Sequence, residues 1–354
     1  MKKRLIINPG STSTKIAIYQ GTKRLSAAVV SHDQARISAF PQVVDQLDYR
    51  FDAIEKAVAE EGCSFADIEA VIGIGGLLKN VLSGVYSVND AMVSDLSSGR
   101  YGEHAANLGG LIARRVSDTY GIPCYIADPI TVDEMQDVAR ISGHPLLPRY
   151  GRTHTLNHKR VAMTVSRELG KSYEDARLII AHLGGGVSIG AHAGGRIIDS
   201  TSSRGEGAFS MDRSGGLNAW ELAKLCFSGK YEKKEILKML NGNGGVCAYL
   251  NTRDFREVER LKNEGSETAA QVFEGFLYQV AKEIGAMAAV LDGNYDAIVI
   301  TGGAAYSEAA MKLLTDKIGF LGRIILKPGE EEMESLAAYL DEILSGRMQV
   351  REYN

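Results

Sequence analysis

The chain has 354 residues, 45% of them apolar and 24% charged, and a formal net charge of -4. That length exceeds what one hydrophobic core usually serves, so two domains are expected. Dispersed Lys and Arg on a weakly acidic chain argue against a nucleic-acid or anionic-membrane surface, and no stretch approaches the run of about 20 apolar residues that spans a bilayer; the expected ligand is small.

In chain order, Lys2-Lys3-Arg4 imitates the basic start of a signal peptide, but Asn8-Pro9-Gly10 stops the apolar run Leu5-Ile6-Ile7, so the segment reads as a first strand. Asn8-Pro9-Gly10-Ser11-Thr12-Ser13-Thr14-Lys15 then places small hydroxyls and free backbone amides at a hairpin tip with a cation close behind, an arrangement suited to phosphate oxygens. It is not a Walker A loop, because GxxxxGK[ST] is absent and a strand follows. Helical spacing covers 51–61 and 102–120.

Arg177-Leu178-Ile179-Ile180 and His182-Leu183-Gly184-Gly185-Gly186 echo the first strand and turn at an offset of 173, from Arg4 to Arg177. One Gly/Ser turn alone is a common hairpin; two at half-chain spacing predict two domains of one fold. Further helices are expected over 217–227, 233–240 and 267–291. A buried strand from Asp296 runs into Thr301-Gly302-Gly303, followed by a helix over 307–318 and a strand over 323–326. Strands followed by helices make an α/β class. No linker composition appears, and the boundary is placed near 150–175, with domains 1–175 and 176–354 and C-terminal helices that can pack back on the first. Cys63, Cys124, Cys226 and Cys247 are widely spaced, which predicts reduced thiols in a cytoplasmic protein.

Three strand-and-turn units in this order resemble the acetokinase family, over essentially the whole chain. The spelling of Gly73-Ile74-Gly75-Gly76-Leu77-Leu78, Gly102-Glu103-His104 through Gly109, and Cys226-Phe227-Ser228-Gly229 looks like its butyrate kinase branch. The resemblance implies a duplicated actin-like, ribonuclease H-like two-domain fold with ATP and acid meeting in a cleft between the domains. It implies ATP-dependent phosphorylation of a short-chain carboxylic acid of three to five carbons, giving an acyl phosphate and ADP, with Mg²⁺ as cofactor and a homo-oligomer, dimer or higher, as the assembly. Such a transfer relies on positioning and charge neutralisation, since the carboxylate is itself the nucleophile.

By the same resemblance, Arg213 steadies the transferring phosphoryl, a task for which its planar fork is better suited than Lys. His104, Asp128, His154 and His158 line the acid and phosphoryl site. Ser11, Ser13, Lys15, His182, Gly184, Gly185, Gly186, Gly302 and Gly303 bind nucleotide phosphates, and Asp254-Phe255-Arg256 matches the adenosine-binding stretch. Asn8 and Glu332, chosen over Glu330 and Glu331, correspond to the metal-holding positions.

The chain departs from the branch where Ile74 replaces an Arg before the Gly75-Gly76 pair; Arg204 or Lys79 is expected to supply the missing charge, and His158 stands where the branch commonly has Gln. Alternatives to the butyrate reading are an acetate or branched-chain acid kinase, a kinase acting on a hydroxyl through an aspartate base, and a non-catalytic actin-like nucleotide binder.

Overall fold

The structure, a computed structural model, describes residues 2–202 and 205–354. It divides into two compact units, Met1–Val132 with Glu331–Asn354, and Asp133–Glu330.

In the first unit, β1 (Lys3–Pro9), β2 (Ser13–Gln20) and β3 (Lys23–Ser31) form an antiparallel meander. Then come α1 (Gln34–Ala39), α2 (Leu47–Glu60), β4 (Ile68–Ile74), β5 (Val85–Ser87), α3 (Asp90–Ser98), α4 (Asn107–Tyr120) and β6 (Cys124–Ala127). The sheet runs β3-β2-β1-β4-β6-β5, with β1, β4 and β6 parallel. The continuous run Leu5-Ile6-Ile7 is buried on both faces because β1 is central, where a strand covered on both sides needs no polar alternation. Leu5, Ile7, Ile16 and Ile18 meet α2 and α4 through Ile54, Val58, Leu108 and Ile112.

The second unit contains α5 (Thr155–Glu168), β7 (Leu178–Leu183), β8 (Val187–Ala193), β9 (Arg196–Ser200), α6 (Ala219–Cys226), α7 (Lys233–Leu240), α8 (Gly245–Leu250), α9 (Phe255–Asn263), α10 (Glu267–Val290), β10 (Ala297–Gly302), α11 (Glu308–Ile318) and β11 (Ile324–Pro328). Its sheet order is β11-β10-β7-β8-β9. Read outward from the hairpin, β9-β8-β7-β10-β11 repeats β3-β2-β1-β4-β6 in order and in strand sense. The α/β class and the duplication expected from the echo are present.

The boundary near 150–175 falls inside the second unit. α5 covers the face of β7 and β10 opposite the main core, packing Val161, Ala162 and Val165 on Leu178, Ile180 and Val299. The corresponding face of the first sheet is covered by the C-terminal helix α12 (Glu332–Leu344), which packs on β1, β2 and β4. Predicted helix 102–120 starts only at Asn107, because Gly102 has φ +119° and the Ala106 amide donates to the His104 ring and not to a helical carbonyl. No helix of the described residues is long and apolar enough to cross a membrane.

Candidate active site

In the first unit the β1–β2 register sets Asn8 directly opposite Lys15, so their side chains share one face. The turn between the strands is closed by the Gly10 amide donating to the Ser13 carbonyl at 2.7 Å. Ser11 and Lys15 are exposed, Ser13 is half-buried, and Lys15 has no ion-pair partner among the described residues. The carbonyls of this turn are drawn inward by Arg50 of α2, whose Nη1 donates to Gly10 O at 2.8 Å and whose Nη2 donates to Ser11 O at 3.1 Å. Gln46 Oε1 accepts from Nε and Nη2 of the same guanidinium at 3.0 and 2.9 Å. With the Gly10 and Ser11 carbonyls held by Arg50, the hydroxyls of Ser11 and Ser13 are the groups of this turn suited to an anion.

Asn8 Nδ2 donates to Glu332 Oε2 at 2.6 Å, at the first turn of α12. The Asn8 carboxamide oxygen and the Glu332 carboxylate are hard oxygen donors. A site of one carboxylate and one amide suits Mg²⁺, which keeps several waters and takes further oxygens from phosphates, so these residues fit the ion. Among the described residues there is no cluster of three or more His, Cys, Asp or Glu able to hold a metal by themselves.

Asp128 lies at the end of β6 with φ +38°, an uncommon conformation for a residue with a side chain. Its Oδ1 accepts from Ser83 Oγ at 2.7 Å and the Gly84 amide at 2.9 Å, and its Oδ2 from Tyr339 Oη at 2.5 Å. Three protein donors therefore engage the expected catalytic carboxylate, which ties the end of β6 to α12. His104 is half-buried; because its Nδ1 accepts the Ala106 amide, its proton sits on Nε2. The glycine motifs around residues 73–78 and 102–109 pack on each other: a Cβ on Gly73 would lie 2.4 Å from Gly109 O, and one on Gly76 2.6 Å from Asn107 Cα. Asn107 also accepts from the Leu77 amide and donates to Gly102 O.

In the second unit β7 and β8 set His182 directly opposite Ser188, with Gly184–Gly186 as the turn between them. Gly184 and Gly186 are required for space and not for φ. A Cβ on Gly184 would lie 2.6 Å from Glu330 Oε1 and 2.8 Å from His182 Nε2, and one on Gly186 2.7 Å from Arg213 Nη1 and 3.0 Å from His154 Nε2. Gly185 has nothing within 4 Å of that position. Gly184 is thus bordered by His182 and Glu330, and Gly186 by His154 and Arg213.

His154, just ahead of α5, stacks its ring on His182 with centroids 4.1 Å apart, and its Nδ1 is 2.8 Å from Ser188 Oγ. His182 Nδ1 meets Asn157 Oδ1 at 2.9 Å and its Nε2 lies 3.3 Å from Glu330 Oε1. His158 Nε2 is 3.0 Å from Ser188 Oγ, and burial followed by the nearby His182 pushes its pKa down to about 3. His154 is also held well below the usual imidazole range, first by burial and then by the charges of His182 and Arg213. The Arg213 loop is locked from behind: its carbonyl accepts the Ser210 amide at 2.9 Å, and the Asp212 carbonyl accepts the Gly242 and Gly244 amides.

The third turn borders the second. Thr301 pairs with His182 across β10 and β7, and Gly302, at φ +92°, leaves no room for a Cβ, which would lie 2.5 Å from the Leu183 carbonyl. Gly303 is open. Phe255 is a correction to the adenosine-binding expectation: its ring is buried, stacked on Phe273 with centroids 5.4 Å apart, so it packs the core and does not offer a face to a base. At that surface stand Asp254, which caps α9, and Arg256, ion-paired to it at 2.6 Å.

Residues 141–336 match the model of the Acetokinase family. Butyrate kinase 2 of Clostridium acetobutylicum is 45% identical over 352 residues, covering 99% of each chain. The chain belongs to the acetokinase family. Butyrate kinase 1 of the same organism is 44% identical over 354 residues, covering both chains fully. Among solved structures, the acetate kinase of Porphyromonas gingivalis superposes with a TM-score of 0.79 at 20% identity, covering 97% of this chain and all of that one. The propionate kinase of Francisella tularensis gives 0.76, covering 96% and 99%. The duplicated actin-like α/β fold expected from the motifs therefore stands.

Within this family frame, the two residues expected to replace the arginine lost at Ile74 part company. Lys79 Nζ sits 4.9 Å from the ring centre of Tyr353, and its amide donates to the Tyr353 hydroxyl, so its cation is directed at the C-terminal tyrosine. Arg204 lies outside the described residues. Leu77 and Leu78 are both buried, Leu78 within the first core. Arg50, Asn157 and Ser188 were missed by motif reading. Arg50 carried a signal, since it falls four residues before Ile54 on the apolar face of α2.

Proposed function

We propose that the chain transfers the γ-phosphoryl group of ATP to the carboxylate of a short-chain acid, butyrate or a close neighbour, giving the acyl phosphate and ADP reversibly. A carboxylate oxygen forms the new bond to phosphorus while the bond to the bridging oxygen of ADP breaks, so no strong base is needed. The observation that carries this reading is the glycine turn 184–186 with Arg213 and His154 beside Gly186 and His182 beside Gly184, a set of donors converging where backbone can approach closely. The near-full-length match to the two Clostridium butyrate kinases supports butyrate over a hydroxyl acceptor.

In this reading Arg213 neutralises the phosphoryl oxygens in flight, and His154, His182 and the turn amides of Gly184, Gly185 and Gly186 orient the phosphates, with Gly302 and Gly303 shaping the adjoining turn. Ser11, Ser13 and Lys15 offer a second set of phosphate donors. Asn8 and Glu332 hold Mg²⁺, which when bound neutralises charge on the ATP oxygens. Asp128 and His104 act by fixing loops, His158 by fixing Ser188, and Asp254 and Arg256 border the nucleoside. We place the protein in the cytoplasm, in keeping with four free cysteines, two of them buried. As assembly we propose a homo-oligomer, dimer or higher, for which the exposed Trp220, Phe227, Leu237 and Tyr249 provide apolar surface; light scattering of the purified protein tests it.

The function is tested by Mg·ATP turnover against acetate, propionate, butyrate, isobutyrate and valerate, trapping acyl phosphate as hydroxamate. A maximum at butyrate or a neighbour is expected. ATP binding without turnover on any acid overturns the reading in favour of a non-catalytic nucleotide binder.

A further inference from the structure

Which ring nitrogen of His154 carries the proton decides whether that ring donates to a phosphoryl oxygen or presents a lone pair to it. The answer is set away from the turn, by a buried chain of side chains. From the inside outward it runs from the Tyr173 hydroxyl to His192 Nδ1 at 2.9 Å, from His192 Nε2 to His158 Nδ1 at 3.2 Å, from His158 Nε2 to Ser188 Oγ at 3.0 Å, and from Ser188 Oγ to His154 Nδ1 at 2.8 Å. His158, His192 and Ser188 have no solvent exposure, and Tyr173 is buried among Val161, Val165 and Leu178. Burial holds all three imidazoles neutral, His158 at about 3 and His154 and His192 well below the usual range.

Proton counting leaves two arrangements. Ser188 Oγ has one hydrogen and faces two ring nitrogens, while also accepting the His154 amide at 3.3 Å. One ring must then donate to it and the other accept from it. Each neutral ring has one N–H, so the choice passes from ring to ring: either all three carry the proton on Nε2, or all three carry it on Nδ1. The far end breaks the tie. In the Nε2 arrangement the Tyr173 phenol donates to His192; in the other it must accept, a weaker role for a phenol than for a carbonyl or an alkyl hydroxyl.

We propose that Tyr173 and His192 are positioning residues which, through His158 and Ser188, hold His154 as its Nε2–H tautomer and so aim a donor at the position beside Gly186 and Arg213. The role rests on the phosphoryl-transfer reading above, but the tautomer does not. The test is nitrogen NMR of ¹⁵N-histidine-labelled protein without substrate, where seven histidines make assignment by single substitution practical. His154, His158 and His192 are expected to show one pattern, pyridine-type Nδ1 and protonated Nε2. Mixed tautomers, or Nδ1–H on His154, overturn the proposal even if the chain proves to phosphorylate another substrate or none. In Tyr173→Phe the His154 ring signals should shift from the Nε2–H pattern, and kcat should fall roughly tenfold, less than the loss on deleting an oxyanion donor outright. KM for ATP and for the acid should hold within about twofold, because a misdirected donor affects the transition state more than binding. Unmoved His154 signals or an unchanged kcat refute the positioning role. His192→Gln, whose amide can still pass one donor and one acceptor along the chain, should retain more turnover than His192→Leu; equal losses count against it, and this pair keeps the test available if Tyr173→Phe does not fold.

Discussion

Replacing Arg50 with Met tests whether the first turn is a built phosphate site. Arg50 is 1% exposed and donates to Gly10 O, Ser11 O, Thr14 Oγ1 and, twice, to Gln46 Oε1. Met fills the stem but donates nothing. Thr14 keeps His32 at 2.8 Å, and the exposed turn carbonyls regain water, so the main loss is the buried Gln46 oxygen left without its donor. Orphaning a buried acceptor costs about 1–3 kcal/mol, partly offset because burial already disfavours this cation and lowers its pKa. The expected melting shift is roughly 1–4 °C downward. The turn also loses the clamp that keeps its carbonyls from an incoming phosphate. KM for ATP should rise by about tenfold, equivalent to about 1.4 kcal/mol of binding, with KM for the acid little changed. Arg50→Lys keeps the charge without the fork and should fall between the two. Calorimetry and initial-rate kinetics read both effects. A lowered melting point with wild-type KM for ATP refutes the link between Arg50 and nucleotide binding.

The glycines of the second turn should separate by position: Gly186→Ala drives a Cβ to 2.7 Å from Arg213 Nη1 and should abolish most turnover, whereas Gly185→Ala meets open space and should leave the steric frame intact, read as kcat for the two variants. Glu332→Gln removes the carboxylate partner of Asn8, so the Mg²⁺ concentration giving half-maximal rate should rise at least several-fold; an unchanged magnesium profile counts against this pair as the ion's holders. Acid should destabilise the fold through its buried histidines. His32, at about 4 because of burial and then the Arg50 charge, and His158, at about 3, bind fewer protons folded than unfolded. Stability then rises with pH between those values and about 6.5, each group contributing up to about 1.4 kcal/mol per pH unit. Urea midpoints should fall from pH 7 to pH 5, and His32→Gln should flatten that slope; a slope unaltered by the substitution argues against His32 as a source.

Strand and turn order were legible because each central strand is an unbroken apolar run and each turn is spelled in Gly, Ser and Thr. His154 and Arg213 beside the glycine turn were legible only through family resemblance, and Glu330 was passed over for Glu332, since the three come from distant segments and no local pattern brings them to one turn. Phe255 misled because a tripeptide next to a helix start says nothing about which way its ring points; α9 turns it into the aromatic cluster with Phe273 and Phe276. The surroundings of Lys79 were hidden for a related reason. Its reach depends on where the last residues of the chain lie, and Tyr353 takes its cation. The domain boundary was misplaced because a helix that covers the outer face of a sheet can be drawn from either side of it in sequence: α5 precedes the second sheet, while α12 follows it and serves the first.

The echo itself was legible but one residue out of register. At a constant offset of 173, Leu5 falls on Leu178, which faces α5, although Leu5 faces the main core of its own unit. The strand pairings resolve this: between paired ends the first turn holds residues 10–13 and the second only 184–186. The offset is therefore 174 on the first strand and 173 on the second, and with it the core faces coincide, Leu5 and Ile7 with Ile179 and Ala181, and Ile16 and Ile18 with Ile189 and Ala191. A single-residue slip exchanges the two faces of a strand, so burial enforces this correction. It also aligns the functional faces, for the cross-strand pair Asn8 and Lys15 now corresponds to His182 and Ser188. The same place on a duplicated hairpin carries an amide and an exposed cation in one copy and an imidazole and a buried hydroxyl in the other. In the first copy the longer turn has room for Ser11 and Ser13 at its tip; in the second the shorter turn is reduced to glycine because His182, His154, Arg213 and Glu330 already occupy the space beside it.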